Sequence, residues 1–502
     1  MESKEKSLFS RWKDQFWPIE SYELKKILPL FFIKFFISLT YGVLTTMKDA
    51  FVVTAQGSGA EVIPVLKGWV VLPIAMGAAL LYSKLTNTFK RSTLFYGIIL
   101  FFMSFITLYG FVLYPHLDML SPHESADKLL NFLGQENAHW VSIYRNWMQS
   151  LFFVMAELWG QIAIFLLFWG FVNHICNLGE AKRCYNLFLA GGDFAMIFTG
   201  PLVIYLTKGH IGADFSVALK NLVLCIVFFG SMIILLHWKL TRSMGKDERL
   251  YQPENKVELE QKTKLSLRQS LKFIIKSKPL RYIAIMVLAY GLTINLMEVT
   301  WKANVKMVYP DTGAYQSFMA GMSSWIGLCS LLVSLFFSGV LFRKLGWHFS
   351  AQVAPIVVGS TSLMFLTLFL LRDHLGPIYN FTPLVAIVFF GAFQNGLSKM
   401  MKYTFFDSTK EMAFIPLDQE SKVKGKAAID IVGSRLGKSG AAWIQILFIQ
   451  IAGTGSVLSI TGYLIPVVAC TVLFWILSVR SLNKQFIRLT ETSPEEPLPS
   501  KS

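Results

Sequence analysis

Long apolar segments recur along almost the whole chain, separated by short polar turns. Each runs to roughly 20 residues, enough at about 1.5 Å per helical residue to cross a hydrocarbon core of about 30 Å. Charged residues make up 16% of the chain, against about a quarter in a soluble one. The pattern predicts an all-α polytopic membrane protein with about 12 transmembrane helices. Their expected centres lie near Phe36, Val71, Phe102, Glu157, Met196, Phe228, Ala289, Leu328, Val358, Phe389, Lys438 and Val467.

The longest polar break, from His237 to Lys278, falls between the sixth and seventh spans. Two six-helix halves joined by a linker imply a major-facilitator-like arrangement closing around a central site. The expected division is an N-terminal segment 1–26, a first half 27–238, a linker 239–279, a second half 280–480 and a tail 481–502. A loose Lys-x8-Gly frame, Lys182/Gly191 and Lys424/Gly433, is consistent with the halves being repeats.

A formal charge of +16 would suit nucleic acid, but its placement argues against that partner. Basic residues gather in alternate loops: the N-terminus, Lys84 to Arg91, Lys182 and Arg183, the long linker, Arg343 and Lys344, Lys410 to Lys426, and the tail. The stretch "LDMLSPHESADKLLNFLGQENAHW" is acidic on balance. This positive-inside pattern predicts both termini in the cytoplasm. The N-terminus lacks the apolar core of a signal peptide and is too acidic for a transit peptide, so a bacterial inner membrane is expected. Cys176, Cys184, Cys225, Cys329 and Cys470 show no metal or disulfide spacing, and neither cofactor nor metal is expected.

"KVKGKAAIDIVGSRLGKSGAAW" ends like a phosphate-binding loop, but Gly433 and Gly437 enclose three residues where that loop needs four, and no buried strand precedes it. Gly433, Gly437 and Gly440 form a small-residue stripe that lets a neighbouring helix approach. Arg435 and Lys438, three residues apart, share a helical face and call for anionic partners.

The informative residues are ionisable groups inside spans, each costing roughly 2.5–3.5 kcal/mol at mid-helix. They are Lys67, Glu157, Glu298 and Lys438, with Lys48 closing the first span. Lys34 is close enough to a span end to snorkel. Two readings compete. Glu157 and Glu298 would pair permanently with Lys67 and Lys438, or the charges line a cationic cavity for a polyanion. The excess of cations (Lys48, Lys67, Arg145, Lys302, Lys306, Lys399, Lys402, Arg435, Lys438) favours the cavity, and a nucleotide di- or triphosphate would balance them. Tyr41, Trp159, Trp301 and Tyr403 lie near these charges and would stack on a base, with Asn295 reading a base edge.

The segments "MKDAFVVTAQGSGAEVIPVLK", "FVMAELWGQ", "INLMEVTWK" and "KYTFFDSTKEMAFIPLDQESKVKGKAAIDIVGSRLGKSGA" resemble the signature segments of the non-mitochondrial ATP/ADP translocases of obligate intracellular bacteria and plastids. The resemblance spans about Leu28 to about Val479. It implies exchange of nucleotides through twelve helices, host ATP entering and ADP with phosphate leaving. It also implies a functional set of two lysines and two glutamates, falling on Lys67, Glu157, Glu298 and Lys438.

The expectation is an antiporter for adenine nucleotides, not an enzyme, working as a monomer by alternating access. Lys67 and Lys438 would bind phosphate oxygens, with Lys48 and Arg435 supporting and Asn295 at the base. Glu157 and Glu298 would hold the cations when the site is empty. The alternative is a proton-coupled importer of ATP, GTP or other nucleoside triphosphates, or an NAD/ADP exchanger of the same family. Glu157 or Glu298 would carry the proton in an importer.

Overall fold

The computed structural model describes residues 23–176, 178–209, 215–245, 274–336, 338–377, 381–417, 425–426, 429 and 434–491. Among these, the regular elements are helices. In a hydrocarbon core nothing else competes, because each backbone amide must find its partner within its own segment.

Twelve long helices carry the fold. The first six are α1 (Leu24–Thr54), α2 (Val62–Thr88), α3 (Arg91–Leu120), α4 (Trp147–Ile175), α5 (Leu178–Thr207) and α6 (Phe215–Met244). The second six are α7 (Lys278–Val308), α8 (Thr312–Phe336), α9 (Ser338–Leu370), α10 (Pro383–Ala413), α11 (Ser434–Ala452) and α12 (Thr461–Glu491). Every expected centre falls on one of them. Among the described residues, ten candidate spans are long and apolar enough to cross a membrane.

Helix ends depart from the expected boundaries by a few residues. α1 begins at Leu24, α6 continues to Met244 and α12 runs on to Glu491. Apolar pattern marks where lipid ends, whereas a helix continues for as long as its backbone bonds are made. The Lys424/Gly433 half of the proposed repeat frame lies outside the described residues.

Within the first half, α1 packs against α4, α5 and α6; within the second, α7 packs against α10, α11 and α12. The halves meet through α5 on α8 and α2 on α11, with α1 touching both α7 and α8. Small residues allow this closeness. The Gly200 amide of α5 donates to Ser324 Oγ of α8 at 2.7 Å, and a Cβ at Gly200 would lie 2.7 Å from the Ala320 carbonyl. Inside the second half, a Cβ on Gly437 would sit 3.1 Å from the Gly291 Cα, so α11 and α7 cross backbone to backbone. The glycines of the phosphate-loop look-alike are therefore packing residues where described, and Gly440 likewise rests against Leu292.

At one end the halves are tied shut. Thr54 Oγ1 and Thr312 Oγ1 share a hydrogen bond of 2.7 Å, and Lys306 Nζ donates to the Ser58 carbonyl. The turn 55–61 is itself braced by Asn146 Nδ2 donating to the Gln56 carbonyl at 3.0 Å. Two shorter helices, His123–Leu133 and Ala138–Arg145, cap this same end, joined by Arg145 to Asp127. Arg145 is thus a structural cation of the cap rather than part of a mid-membrane cavity.

Candidate functional site

α1 carries Lys48 and Asp49 less than two turns before its end at Thr54, both only 1–2% exposed. Two adjacent charges at that depth survive only if each finds an opposite partner. Lys48 Nζ lies 2.8 Å from Asp49 Oδ1 and 3.0 Å from Glu157 Oε1 of α4. It also sits 4.1 Å from the centre of the Phe153 ring. The other Asp49 oxygen, Oδ2, lies 2.8 Å from Lys302 Nζ of α7, which in turn is 2.7 Å from Glu298 Oε1 one turn earlier on the same helix. The result is a chain of alternating charge, Glu157, Lys48, Asp49, Lys302, Glu298, passing from the first half into the second.

Two more lysines face this chain without joining it. Lys67 stands on the wide π-helical turn Leu66–Val71 of α2, and Lys399 lies near the middle of α10. Both are half-buried, and both are within electrostatic reach of Glu298 and Lys302. Among the described residues neither ammonium has a hydrogen bond or ion pair. The group holds four lysines against three carboxylates, so it carries positive charge in excess.

Local distortion helps to place these groups. Lys67 lies within one π-helical segment, Glu157 three residues before another (Gly160–Phe168), and a third (Lys402–Phe406) follows Lys399. Such turns widen the helix and swing side chains off the regular face, and they collect at functional sites. Tyr41 of α1 packs where a Cβ on Gly160 would be, 2.5 Å from its ring, which brings α1 and α4 together beside Glu157.

The remaining expected site residues fall out as follows. Lys48 is enclosed by its partners and is not open to a ligand in this state. Asn295 is half-buried, and its Nδ2 donates to the Gly291 carbonyl at 2.7 Å, so its amide nitrogen serves its own helix. The side chains of Arg435 and Lys438 lie outside the described residues; their backbone belongs to the first turns of α11, which the Gly291–Gly437 contact holds beside α7. Trp159 and Trp301 are buried packing residues whose indoles donate to the Ile37 and Val388 carbonyls, which removes them as base platforms. Tyr403 is exposed, with Lys402 Nζ 4.6 Å from its ring centre.

Three residues at the centre of this group were not singled out from sequence. Asp49 was passed over, and Lys302 and Lys399 figured only in the general excess of cations. A signal existed for two of them: Asp49 adjoins Lys48, and Glu298 and Lys302 have the i, i+4 spacing of a helical ion pair. Lys34, expected to snorkel, is 7% exposed and points at the Phe168 ring, 5.8 Å from its centre.

Chemically the arrangement is an electrostatic one. Among the described residues no group of three or more His, Cys, Asp or Glu side chains gathers as a metal ligand set. A concavity of about 480 Å³ on α3, lined by Leu100, Met103, Thr107 and Phe111, is apolar and lies away from the charges. What the central layer supplies is two ammonium groups, at Lys67 and Lys399, without an ion pair among the described residues at the meeting of two halves.

A family model described as TLC ATP/ADP transporter matches residues 2–486. The chain is 39% identical to ADP,ATP carrier protein 1 of Chlamydia pneumoniae, over 99% of this chain and 98% of that one. It is 42% identical to the plastidic ATP/ADP-transporter of Solanum tuberosum, over 95% and 75% of the two chains. To ADP,ATP carrier protein 1 of Rickettsia prowazekii it is 38% identical, over 96% and 98%. Among solved structures, a bacterial homologue of the iron transporter ferroportin in an inward-facing state superposes with a TM-score of 0.54 at 15% identity, covering 94% of this chain and 100% of that one. A POT family transporter in complex with 5-aminolevulinic acid superposes with a TM-score of 0.53 at 11% identity, covering 91% and 96%. These likenesses bear on the fold, which is the major-facilitator-like one expected.

Proposed function

This chain belongs to the TLC ATP/ADP transporter family, and we propose that it exchanges ATP for ADP, with phosphate accompanying ADP, by alternating access of a central site. The observation that carries this reading is the pair of half-buried lysines, Lys67 and Lys399, without anionic partners among the described residues, beside an otherwise paired network. A cation left unneutralised at membrane depth is costly, and a polyphosphate is the ligand whose charge relieves several at once. Lys67 from the first half and Lys399 from the second would hold phosphate oxygens, joined by Lys438 and Arg435 on the first turns of α11. With no nucleotide bound, Glu157 and Glu298 take up cations, a role supported by their ion pairs with Lys48 and Lys302.

The basic loops support a cytoplasmic Lys26 end of α1 and cytoplasmic termini, and on that reading the Thr54–Thr312 end is the outer one. With that end tied shut, the site addresses the inside. A bacterial inner membrane and a monomeric carrier are part of the same reading.

A second reading has one observation in its favour. Glu298 is the most exposed member of the charge chain, 29% at its side chain, and only its Oε1 contacts Lys302, so a proton has access to it. In that case the chain imports nucleotides with protons. Purified protein in liposomes separates the two. Uptake of labelled ATP only into ADP-loaded vesicles is the expected result. Uptake into empty vesicles, raised by an inward proton gradient, favours import. Absence of nucleotide transport under both conditions rejects the proposal.

A further inference from the structure

We infer that Asp49 is the carrier's internal substitute for substrate phosphate: in the empty transporter it occupies Lys302 across the interface between the halves, and this pair is the latch that makes exchange obligatory. The inference rests on the reading of the chain as a nucleotide exchanger and assigns the coupling step to residues outside the family's two lysines and two glutamates.

The geometry is specific. Asp49 is 1% exposed, and its two oxygens go to different lysines, Oδ1 to Lys48 of its own half and Oδ2 to Lys302 of the other. Each lysine also has a partner that stays with it when the halves part: Lys48 keeps Glu157 and Lys302 keeps Glu298. The link given up is Asp49 to Lys302. It lies directly beneath the ties that close the outer end, Asp49 five residues before Thr54 on α1 and Lys302 one turn before Lys306 on α7. α1 cannot swing from α7 and α8 at that end without breaking this pair as well as those ties.

An ion pair buried this deeply is not replaced by water as the halves begin to separate, and losing one partner without a substitute is strongly unfavourable. A phosphate oxygen seated between Lys67, Lys399 and Lys302 is such a substitute, because it gives Lys302 a new anion and lets Asp49 remain with Lys48. The empty carrier has only Glu298 left to offer Lys302, one carboxylate in place of two, and stays closed. Obligate exchange follows from competition between one carboxylate and one phosphate for one ammonium.

Asp49→Asn tests this. Wild-type protein in liposomes is expected to take up ATP only against internal ADP; Asp49→Asn is expected to take it up into empty vesicles within about threefold of the loaded rate, since the closed state has lost most of its advantage. Asp49→Glu, which keeps the charge, restores the requirement for internal ADP. An Asp49→Asn protein that transports at a measurable rate but only into loaded vesicles overturns the inference and leaves the exchange function standing. Failure of wild type to transport nucleotide would instead remove the functional reading.

A readout independent of transport covers a variant that binds or folds poorly. Thr54→Cys with Thr312→Cys, in a chain whose five native cysteines are replaced by serine, reports closure of the outer end through disulfide formation. Without nucleotide, Lys302→Gln or Asp49→Asn is expected to slow that cross-link roughly tenfold relative to the unaltered pair. ADP slows it in the otherwise wild-type background and adds little in Asp49→Asn. Equal cross-linking rates in all three proteins, with or without ADP, would overturn the latch.

Discussion

Two buried ion-pair regions of this molecule look alike locally and differ in what they join. Near the start of α1, Lys26 Nζ contacts both oxygens of Glu180 at 2.8 and 3.0 Å, with side-chain exposures of 2% and 11%. Both residues belong to the first half, so the pair moves as one body. In the central layer, Asp49 and Lys302 pair at 2.8 Å with exposures of 2% each, but one comes from each half. Burial and distance do not distinguish them. A pair inside one rigid half adds to that half's stability in every state, whereas a pair across the interface exists in one state only and so biases the equilibrium between states.

The largest effect that would break this comparison is expected at Lys302. Lys302→Gln removes the cation that Asp49 and Glu298 share, and breaking a buried pair from one side costs about 3–5 kcal/mol. Exchange in liposomes should fall by at least about a hundredfold. If it stayed within a few-fold of wild type, the cross-half network would be no more mechanistic than the Lys26 pair.

Lys26→Gln is the matching experiment in the other region. It should lower stability by about 3 kcal/mol, read as thermal melting in detergent, with the KM for ATP unchanged in the protein that remains folded. Lys26→Met with Glu180→Leu should recover most of that stability, because replacing both members with apolar groups is often neutral. No such double replacement of Asp49 and Lys302 should restore coupled exchange.

A smaller change is expected at Lys67, which has no ion pair to lose among the described residues. Lys67→Gln should raise the KM for ATP roughly tenfold, equivalent to about 1.4 kcal/mol, while leaving the melting temperature alone. A drop in melting temperature with unaltered KM would move Lys67 into the structural class.

The smallest effect concerns His139 on the cap helix Ala138–Arg145, which is 1% exposed and whose ring nitrogens have no hydrogen-bond partner among the described residues. Burial pushes its pKa down from 6.5 to about 4. The unfolded chain therefore binds a proton first as pH falls. The contribution of the neutral ring to stability is complete above pH 6.5 and is lost between there and about 4. From pH 7 to pH 6 the loss should be about 0.7 kcal/mol. His139→Gln should remove that part of the acid dependence of melting without altering the pH dependence of exchange.

Much of the architecture was legible in advance because lipid leaves a chain few choices. Apolar runs of the right length must be helices, and the long polar break marks where one set of helices ends. α8 and α11 were expected on the same grounds, with centres near Leu328 and Lys438. Lys67, Glu157, Glu298 and Lys438 were legible because a charge within an apolar run is conspicuous. Asp49 was not, because beside Lys48 at the end of α1 it reads as an ordinary polar terminus. Nothing local shows that α1 continues to Thr54 and buries it.

The amino-acid sequence by itself determined the class of protein, the succession of helices and the set of charges that membrane depth makes expensive. It did so because transfer cost and helix length are properties of single segments. Tertiary structure alone decided which charge meets which. Among the described residues Glu157 meets Lys48, Glu298 meets Lys302, and Asp49 joins the two halves. That assignment depends on how helices distant in sequence are rotated and widened against one another, down to the π-helical turn that carries Lys67 and the glycine contact that brings α11 onto α7. An ion pair requires two groups within a few ångströms, and only the packed helices set that distance.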